Sequence, residues 1–234
     1  MRATVTEKRE VARGTLFFVF DAGERFDFRP GQYFWVEVVN PPYTDDRGSR
    51  RHISVVLSPT EGGHVGLATR LRDTAFKRSL AELEVGDEVD VEPPKGDFRL
   101  PEDTSRDYVF VAGGIGITVF RSMLRYIADE QLPYRVTLVY SNRDRESTAF
   151  LDELQELEER IAGFRLIATM TGDPEWQGEN GRVDAEFLQK HLGDVASYTY
   201  LLAGPPPMVE GVVEELKQER VPEEQILPDR FSGY

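Results

Sequence analysis

The stretch Val109 to Met123 reads Val-Phe-Val-Ala-Gly-Gly-Ile-Gly-Ile-Thr-Val-Phe-Arg-Ser-Met. A short apolar run ends at Gly113, Gly114 and Gly116, and Ile117, Phe120, Met123, Leu124 and Ile127 then recur at helical spacing. This predicts a strand, a tight turn and a helix. A turn without β-carbons lets a phosphorylated ligand reach the backbone, and the amides at a helix start supply donors and a positive dipole end. The stretch reads as a nucleotide cradle. Glycines that only let strand and helix pack closely are the plainer alternative. The full dinucleotide fingerprint and the Lys-Ser/Thr pair of a P-loop are both missing.

Beyond Pro101 the chain alternates strand and helix. Strands are expected at Tyr108–Ala112, Arg135–Tyr140, Phe164–Ala168 and Tyr198–Leu202, with helices near Ile117–Asp129, Thr148–Arg160, Asp184–His191 and Pro207–Glu219. Such alternation implies a parallel sheet covered on both faces, with ligands at the carboxyl ends of its strands. The first hundred residues have a different rhythm. Six short β-branched or aromatic runs, Thr4–Glu10, Thr15–Phe20, Gln32–Val39, Arg51–Leu57, His64–Thr69 and Glu88–Glu92, are separated by Gly- and Pro-containing turns. They suggest a six-stranded antiparallel Greek-key barrel, interrupted by one helix at about Thr74–Leu83. The expected division is residues 1–101 for the barrel and 102–234 for the α/β half, with the hinge at Lys95–Ser105.

Composition narrows the chemistry. The chain has no cysteine, which removes thiolate metal sites, catalytic thiols and iron–sulfur clusters within it, and three scattered histidines offer no metal spacing. Redox chemistry here requires an organic cofactor. Residues 1–101 hold 15 Lys and Arg against 17 Asp and Glu, whereas residues 102–234 hold 13 against 25. That acidity disfavours nucleic-acid partners. No apolar run reaches the roughly 18 residues of a membrane span, so a cytoplasmic location is expected.

Three further segments could carry chemistry. Arg51-His52-Ile53-Ser54 offers an arginine fork suited to a pyrophosphate, or else a strand residue in a surface ion pair. Asp73 to Arg78 opens the barrel helix, where Asp73 or Thr74 can cap it and leave the amides of Ala75 and Phe76 for a phosphate, with Lys77, Arg78, Arg70 and Arg72 nearby. Ala203-Gly204-Pro205-Pro206-Pro207-Met208 ends the last expected strand, either to admit a ligand at Gly204 or to start a rigid helix.

Together these segments resemble the ferredoxin–NADP reductase superfamily, in its short form without an iron–sulfur domain. The resemblance runs through Arg29 to Tyr33, Arg51 to Ser54, Gly86-Asp87, Pro94 to Phe98, Gly113 to Thr118, Tyr140 to Arg143, Phe150 to Leu154 and Gly204 to Met208. It implies a flavin-binding barrel followed by a nicotinamide-nucleotide domain. By that resemblance Arg51 holds the FAD pyrophosphate, His52, Ile53 and Ser54 border the flavin with Ser54 near N5, and Thr74, Ala75 and Phe76 complete the phosphate site. Gly113, Gly114 and Gly116 receive the phosphates of NADPH or NADH, Thr118 lies by the carboxamide, Gly204 and Pro205 flank the nicotinamide, and Ser141 and Arg143 lie by the adenine ribose. Ile53 stands where the family usually carries a stacking aromatic, Val119 where it has a proline, and Ala203 where it often has a cysteine.

The implied activity passes a hydride from NAD(P)H to FAD and then electrons to a separate acceptor: a ferredoxin, a flavodoxin, an oxygenase component or a small compound. A nucleotide-binding regulatory or electron-transfer subunit of a larger redox complex is the alternative. Ser141 and Arg143 favour the 2′-phosphate of NADPH, although Asp144 and Glu146 lie close by. At the C-terminus, Tyr234 or Phe231 is a candidate aromatic cover for the flavin face.

Overall fold

The computed structural model describes residues 1–231; residues 232–234, including the candidate Tyr234, lie outside the described residues. Two six-stranded sheets organise the chain. The first contains β1 (Arg2–Ala12), β2 (Thr15–Asp21), β3 (Tyr33–Val38), β4 (Arg50–Ser54), β5 (Val65–Arg70) and β6 (Glu88–Val91). All its pairings are antiparallel, in the order β4-β3-β6-β1-β2-β5. β6 returns to lie between β3 and β1, as a Greek key requires. The expected strand Arg51–Leu57 is shorter than its sequence suggests. Past Ser54 the chain leaves the β3 ladder, with Val55 N donating to Gln32 O at 2.8 Å and Val56 N to Gly66 O at 3.0 Å. That second bond joins the two edges and closes the sheet into a barrel.

Alternation along β2 and β3 buries Phe18, Phe20, Phe34 and Val36 in the barrel. Phe17 has the opposite phase yet is also buried, because its ring meets Phe150 edge-on at 6.1 Å. The barrel half has one helix among the described residues, α1 (Ala75–Glu82), capped by the Thr74 hydroxyl.

The second sheet is parallel throughout, in the order β10-β9-β8-β7-β11-β12. Its strands are β7 (Asp107–Gly113), β8 (Arg135–Asn142), β9 (Phe164–Met170), β10 (Glu179–Asn180), β11 (Thr199–Gly204) and β12 (Ile226–Arg230). Its helices are α2 (Ile117–Asp129), α3 (Leu151–Arg160), α4 (Ala185–Leu192) and α5 (Pro206–Gln218). Successive residues of β7 serve opposite faces. Phe110 and Ala112 join the apolar residues of α2 and α3, while Val109 and Val111 join those of α4 and α5. The first of these faces is continuous with the barrel core, through Phe120 stacked on Phe110 at 4.8 Å and meeting Phe98 at 6.2 Å.

The sequence pattern indicates four parallel strands, and the structure adds two at the edges. β10 is only two residues long, and β12 contains Pro228, which an edge strand tolerates because it pairs on one side only. α3 starts at Leu151 instead of Thr148. The Asp144 carboxylate caps Ser147 N at 2.9 Å to form a separate 3₁₀ turn, and Phe150 then takes a left-handed φ of 62° before the helix begins. No helix among the described residues is long and apolar enough to cross a membrane.

Candidate functional site

A cleft of about 600 Å³ opens where the barrel meets the carboxyl ends of β7 and β11. β4 forms one wall with His52, Ile53 and Ser54, and the turn after β7 faces it with Gly114, Ile115 and Thr118. Pro205 and Phe231 line the same space from the ends of β11 and β12. The pairing of β3 with β4 sets Tyr33 opposite Ser54 and Trp35 opposite His52. The His52 ring therefore meets Tyr33 at 5.3 Å and Trp35 at 5.1 Å, both edge-on, and its burial holds its pKa below the ordinary histidine value.

Four basic residues among those described line the cleft: Arg230, paired with Glu210 at 3.7 Å, and a cluster of Arg70, Arg72 and Lys77. Lys77 is 6% exposed, and its ammonium donates to the Arg70 carbonyl at 2.9 Å. Burial first, then the charges of Arg72 and Arg70, lower its pKa to about 8. Arg70 donates to the Ser147 carbonyl at 2.7 Å, and among the described residues no carboxylate lies within ion-pair distance of Arg70, Arg72 or Lys77. Asp229 also lines the cleft, and burial raises its carboxyl above the usual range. A cluster of three cations that has no carboxylate partner among the described residues suits an anion from outside.

The three glycines of the turn have different local reasons. A β-carbon on Gly116 would overlap the Ala203 carbonyl, and one on Gly113 would come within 3.0 Å of the Met208 sulfur. Both positions let β7, β11 and α5 approach closely. Gly114 adopts φ 52°, and its missing β-carbon faces open space with only an Arg70 nitrogen at 3.8 Å. Gly114 is also the glycine of the three that lines the cleft. Thr118 sits in the first turn of α2 and its hydroxyl donates to Ile115 O at 3.1 Å.

Other sequence-selected residues lie beside the cleft without lining it. The Arg51 guanidinium is buried and donates to the carbonyls of Arg47 and Gly48 at 2.9 Å and of Arg50 at 2.7 Å, with its carbon 5.2 Å above the Phe76 ring. It staples the loop before β4 under α1. Thr74 and Ala75 border a second, more open groove with Tyr43, Arg47 and Arg78, while Phe76 turns into the main cleft. Ser141 pairs with Gly113 at the end of β8, followed by Arg143, which is exposed. Arg13 from the β1–β2 turn pairs with both nearby acids, at 2.8 Å from Asp144 and in direct contact with Glu146. Gly204 ends β11, and its carbonyl accepts from Phe231 N at 2.9 Å.

The sequence motifs include Tyr33 and Ile115 without giving either a role at the site, and Trp35 and Asp229 have none there. Strict alternation along β3 places Tyr33 and Trp35 on the face opposite buried Phe34 and Val36, a signal that was available. Asp229 was hidden because the strand carrying it contains a proline. The cleft has apolar walls and a cationic end, and its backbone is open at Gly114. It fits a flat ring system with a phosphate tail.

Comparison with known proteins agrees with that chemistry. The family model described as Oxidoreductase FAD-binding domain matches residues 2–100, and that described as Oxidoreductase NAD-binding domain matches residues 110–214. The reductase component of propane 2-monooxygenase from Mycolicibacterium smegmatis is 30% identical over 217 residues, covering 89% of this chain and 60% of that protein. The reductase component of phenol 2-monooxygenase from a Pseudomonas species is 30% identical over 209 residues, covering 87% and 58%. The chain thus spans about three fifths of the length of such relatives. Among solved structures, an Amycolatopsis cytochrome P450 reductase superposes with a TM-score of 0.85 at 26% identity, covering 99% of this chain and 70% of that one.

Proposed function

Because the chain belongs to the ferredoxin–NADP reductase superfamily, we propose that it is an FAD-dependent NAD(P)H oxidoreductase that passes electrons on to a separate acceptor. One observation carries the reading: a single cleft is lined both by β4, with Ile53 and Ser54, and by the glycine turn, with Gly114 and Thr118. Two cofactors bound to those walls meet in the same space.

In this reading Ile53, Ser54 and His52 border the flavin ring, and Lys77, Arg70 and Arg72 hold its phosphates with the α1 amides at Ala75 and Phe76. Arg51 supports that site by fixing the loop beneath it. Gly114, Thr118 and Pro205 receive the nicotinamide, the close packing at Gly113, Gly116 and Gly204 shapes its entry, and Ser141 and Arg143 border its adenosine end. Bound there, the flavin supplies both hydride acceptance and single-electron release. The chain itself contributes placement, exclusion of water and charge, and needs no general acid, base or nucleophile.

The acceptor is best matched to an oxygenase component or its iron–sulfur carrier, as the relatives are reductase components of oxygenases. These 234 residues contain no cysteine, so any iron–sulfur cluster in the electron path lies outside them. A cytoplasmic location goes with this reading. The test is oxidation of NADH and NADPH by the purified chain with ferricyanide, together with its visible spectrum. A flavin spectrum with rapid turnover is expected. Nucleotide binding without turnover would favour a regulatory subunit instead.

A further inference from the structure

Arg121 of α2 reaches from the nucleotide half into the barrel half, with its side chain only 5% exposed. Its Nε donates to Glu153 of α3 at 2.9 Å, and one terminal nitrogen donates to the Val56 carbonyl at 2.8 Å. Both terminal nitrogens lie 3.2 Å from the Glu61 carboxylate, and its carbon rests 5.1 Å from the centre of the Phe150 ring. Arg125 adds a second cation to the same two carboxylates, at 3.7 Å from Glu61 and 3.5 Å from Glu153. Ser122 donates to the Leu57 carbonyl at 2.6 Å, and Thr60 donates to Asp129 at 2.6 Å. The contacts to Val56, Leu57, Thr60 and Glu61 tie the nucleotide half to one barrel segment, residues 56–61, while Glu153 and Phe150 hold Arg121 from its own half.

The positions of the partners give the clamp its meaning. Val56 follows Ser54 by two residues, and Arg121 follows Thr118 by one helical turn. Ser54 and Thr118 both line the cleft, one from each half of the chain. Cohesion between the halves does not require buried charge, since a continuous apolar cluster already joins them. A buried ionic group is often no more stabilising than an apolar one of similar volume, and its best-attested contribution is to select one geometry. A planar guanidinium bonded on three sides defines position in a way that sliding apolar surfaces do not.

We propose that Arg121 is a positioning residue for hydride transfer, fixing the separation of the Ser54 wall from the Thr118 turn. The inference rests on the flavin reductase reading above. Transfer breaks one C–H bond of the reduced nicotinamide, moves its proton with both electrons, and makes one N–H bond on the flavin, so Arg121 gives up nothing. Its role is to hold α2 at the distance where that bond exchange is fast, because misplacement by about 1 Å can cost on the order of a hundredfold.

The test uses the full FAD-loaded chain carrying Arg121→Met or Arg121→Lys. Four quantities are measured: melting temperature, nicotinamide affinity, the limiting rate of flavin reduction, and the long-wavelength charge-transfer absorbance formed by reduced flavin and oxidised nicotinamide. For Arg121→Met, the melting temperature should fall because Glu61 and Glu153 lose a partner; measured well below it, nicotinamide affinity should stay near wild type, the limiting rate should fall by about tenfold or more, and the charge-transfer band should weaken. Arg121→Lys should recover part of both. Wild-type rate and band in Arg121→Met would overturn the proposal, as would losses that follow the melting temperature alone. If Arg121→Met does not fold, Glu61→Gln removes the barrel-side charge that the guanidinium meets, and unchanged rate and band there would overturn it equally. A wild-type chain that binds FAD but is reduced by neither NADH nor NADPH would instead overturn the functional reading itself.

Discussion

The Lys77 ammonium donates to the Arg70 carbonyl at 2.9 Å, which holds an almost fully buried cation at the edge of the cleft. Its pKa is lowered from 10.5 to about 8, by burial first and then by Arg72 and Arg70. The unfolded chain keeps this proton up to the ordinary lysine range, whereas the folded chain without ligand releases it near 8. Charging Lys77 therefore penalises the folded state below about pH 8, and the penalty lifts as pH rises from about 8 to 10.5.

Flavin binding should show the opposite dependence, because a phosphate needs the charged ammonium. FAD affinity, followed by quenching of flavin fluorescence, should fall by up to about tenfold per pH unit above 8. Lys77→Gln should bind FAD weakly at pH 7 and show little of this dependence, and riboflavin, which lacks phosphate, should be indifferent to both pH and substitution. A wild-type affinity that stays flat to pH 9.5 would remove Lys77 from the phosphate site.

Two glycine substitutions should separate packing from ligand access. In Gly116→Ala the new methyl meets the Ala203 backbone carbonyl, which cannot move aside without displacing β11. Overpacking of this kind costs about 1–3 kcal/mol or more, so thermal melting should show a large loss of stability. Gly114→Ala has room for its methyl but must hold φ at 52°, a cost of about 1 kcal/mol. It should fold and show its main deficit in nicotinamide binding.

Much of this architecture was legible in the sequence. Period-2 and helical patterns are direct consequences of burial, so the barrel, the parallel sheet and the turn at Gly113 to Thr118 could be read from residue type alone. The direction of Arg51 could not. Its guanidinium turns toward the carbonyls of Arg47, Gly48 and Arg50 because the loop before β4 curls around it, and loop geometry has no periodic signature. β12 was obscured for a related reason, since Pro228 normally argues against a strand and is admitted here only by its edge position. The clamp at Arg121 joins residues some sixty positions apart, a pairing that no local pattern announces.

Arg51→Ala should accordingly act on the fold as well as on the cofactor. Removing the guanidinium takes the donor from three carbonyls of an exposed loop, each such hydrogen bond contributing about 0.5–1.5 kcal/mol net. The melting temperature of the FAD-free chain should drop by several degrees, and FAD affinity should fall with it as the groove by Thr74 and Ala75 loosens. Arg51→Lys should not rescue, because an ammonium cannot reach the carbonyls in the same planar arrangement. A melting temperature equal to wild type, with FAD affinity alone reduced, would show that Arg51 turns to the cofactor when it binds.

Phe231 offers the sharpest test of how the cleft is covered. Its amide is fixed to the Gly204 carbonyl at 2.9 Å, and its side chain, half-buried against the core, lines the cleft beside Pro205. The ring thus stands at the junction of the β11 end and the open space, positioned to meet a flat ligand. Burying an aromatic face is favourable, and an offset stack adds about 0.5–1.5 kcal/mol. Phe231→Ala should weaken FAD binding by about tenfold and speed the reoxidation of reduced flavin in air, since water and oxygen gain a path to the ring. Phe231→Leu should restore most of the shielding but less of the affinity, because it fills the wall without stacking. If Phe231→Ala lowers the melting temperature while leaving FAD affinity and reoxidation at wild-type values, the residue serves only to plug the sheet edge beside β12.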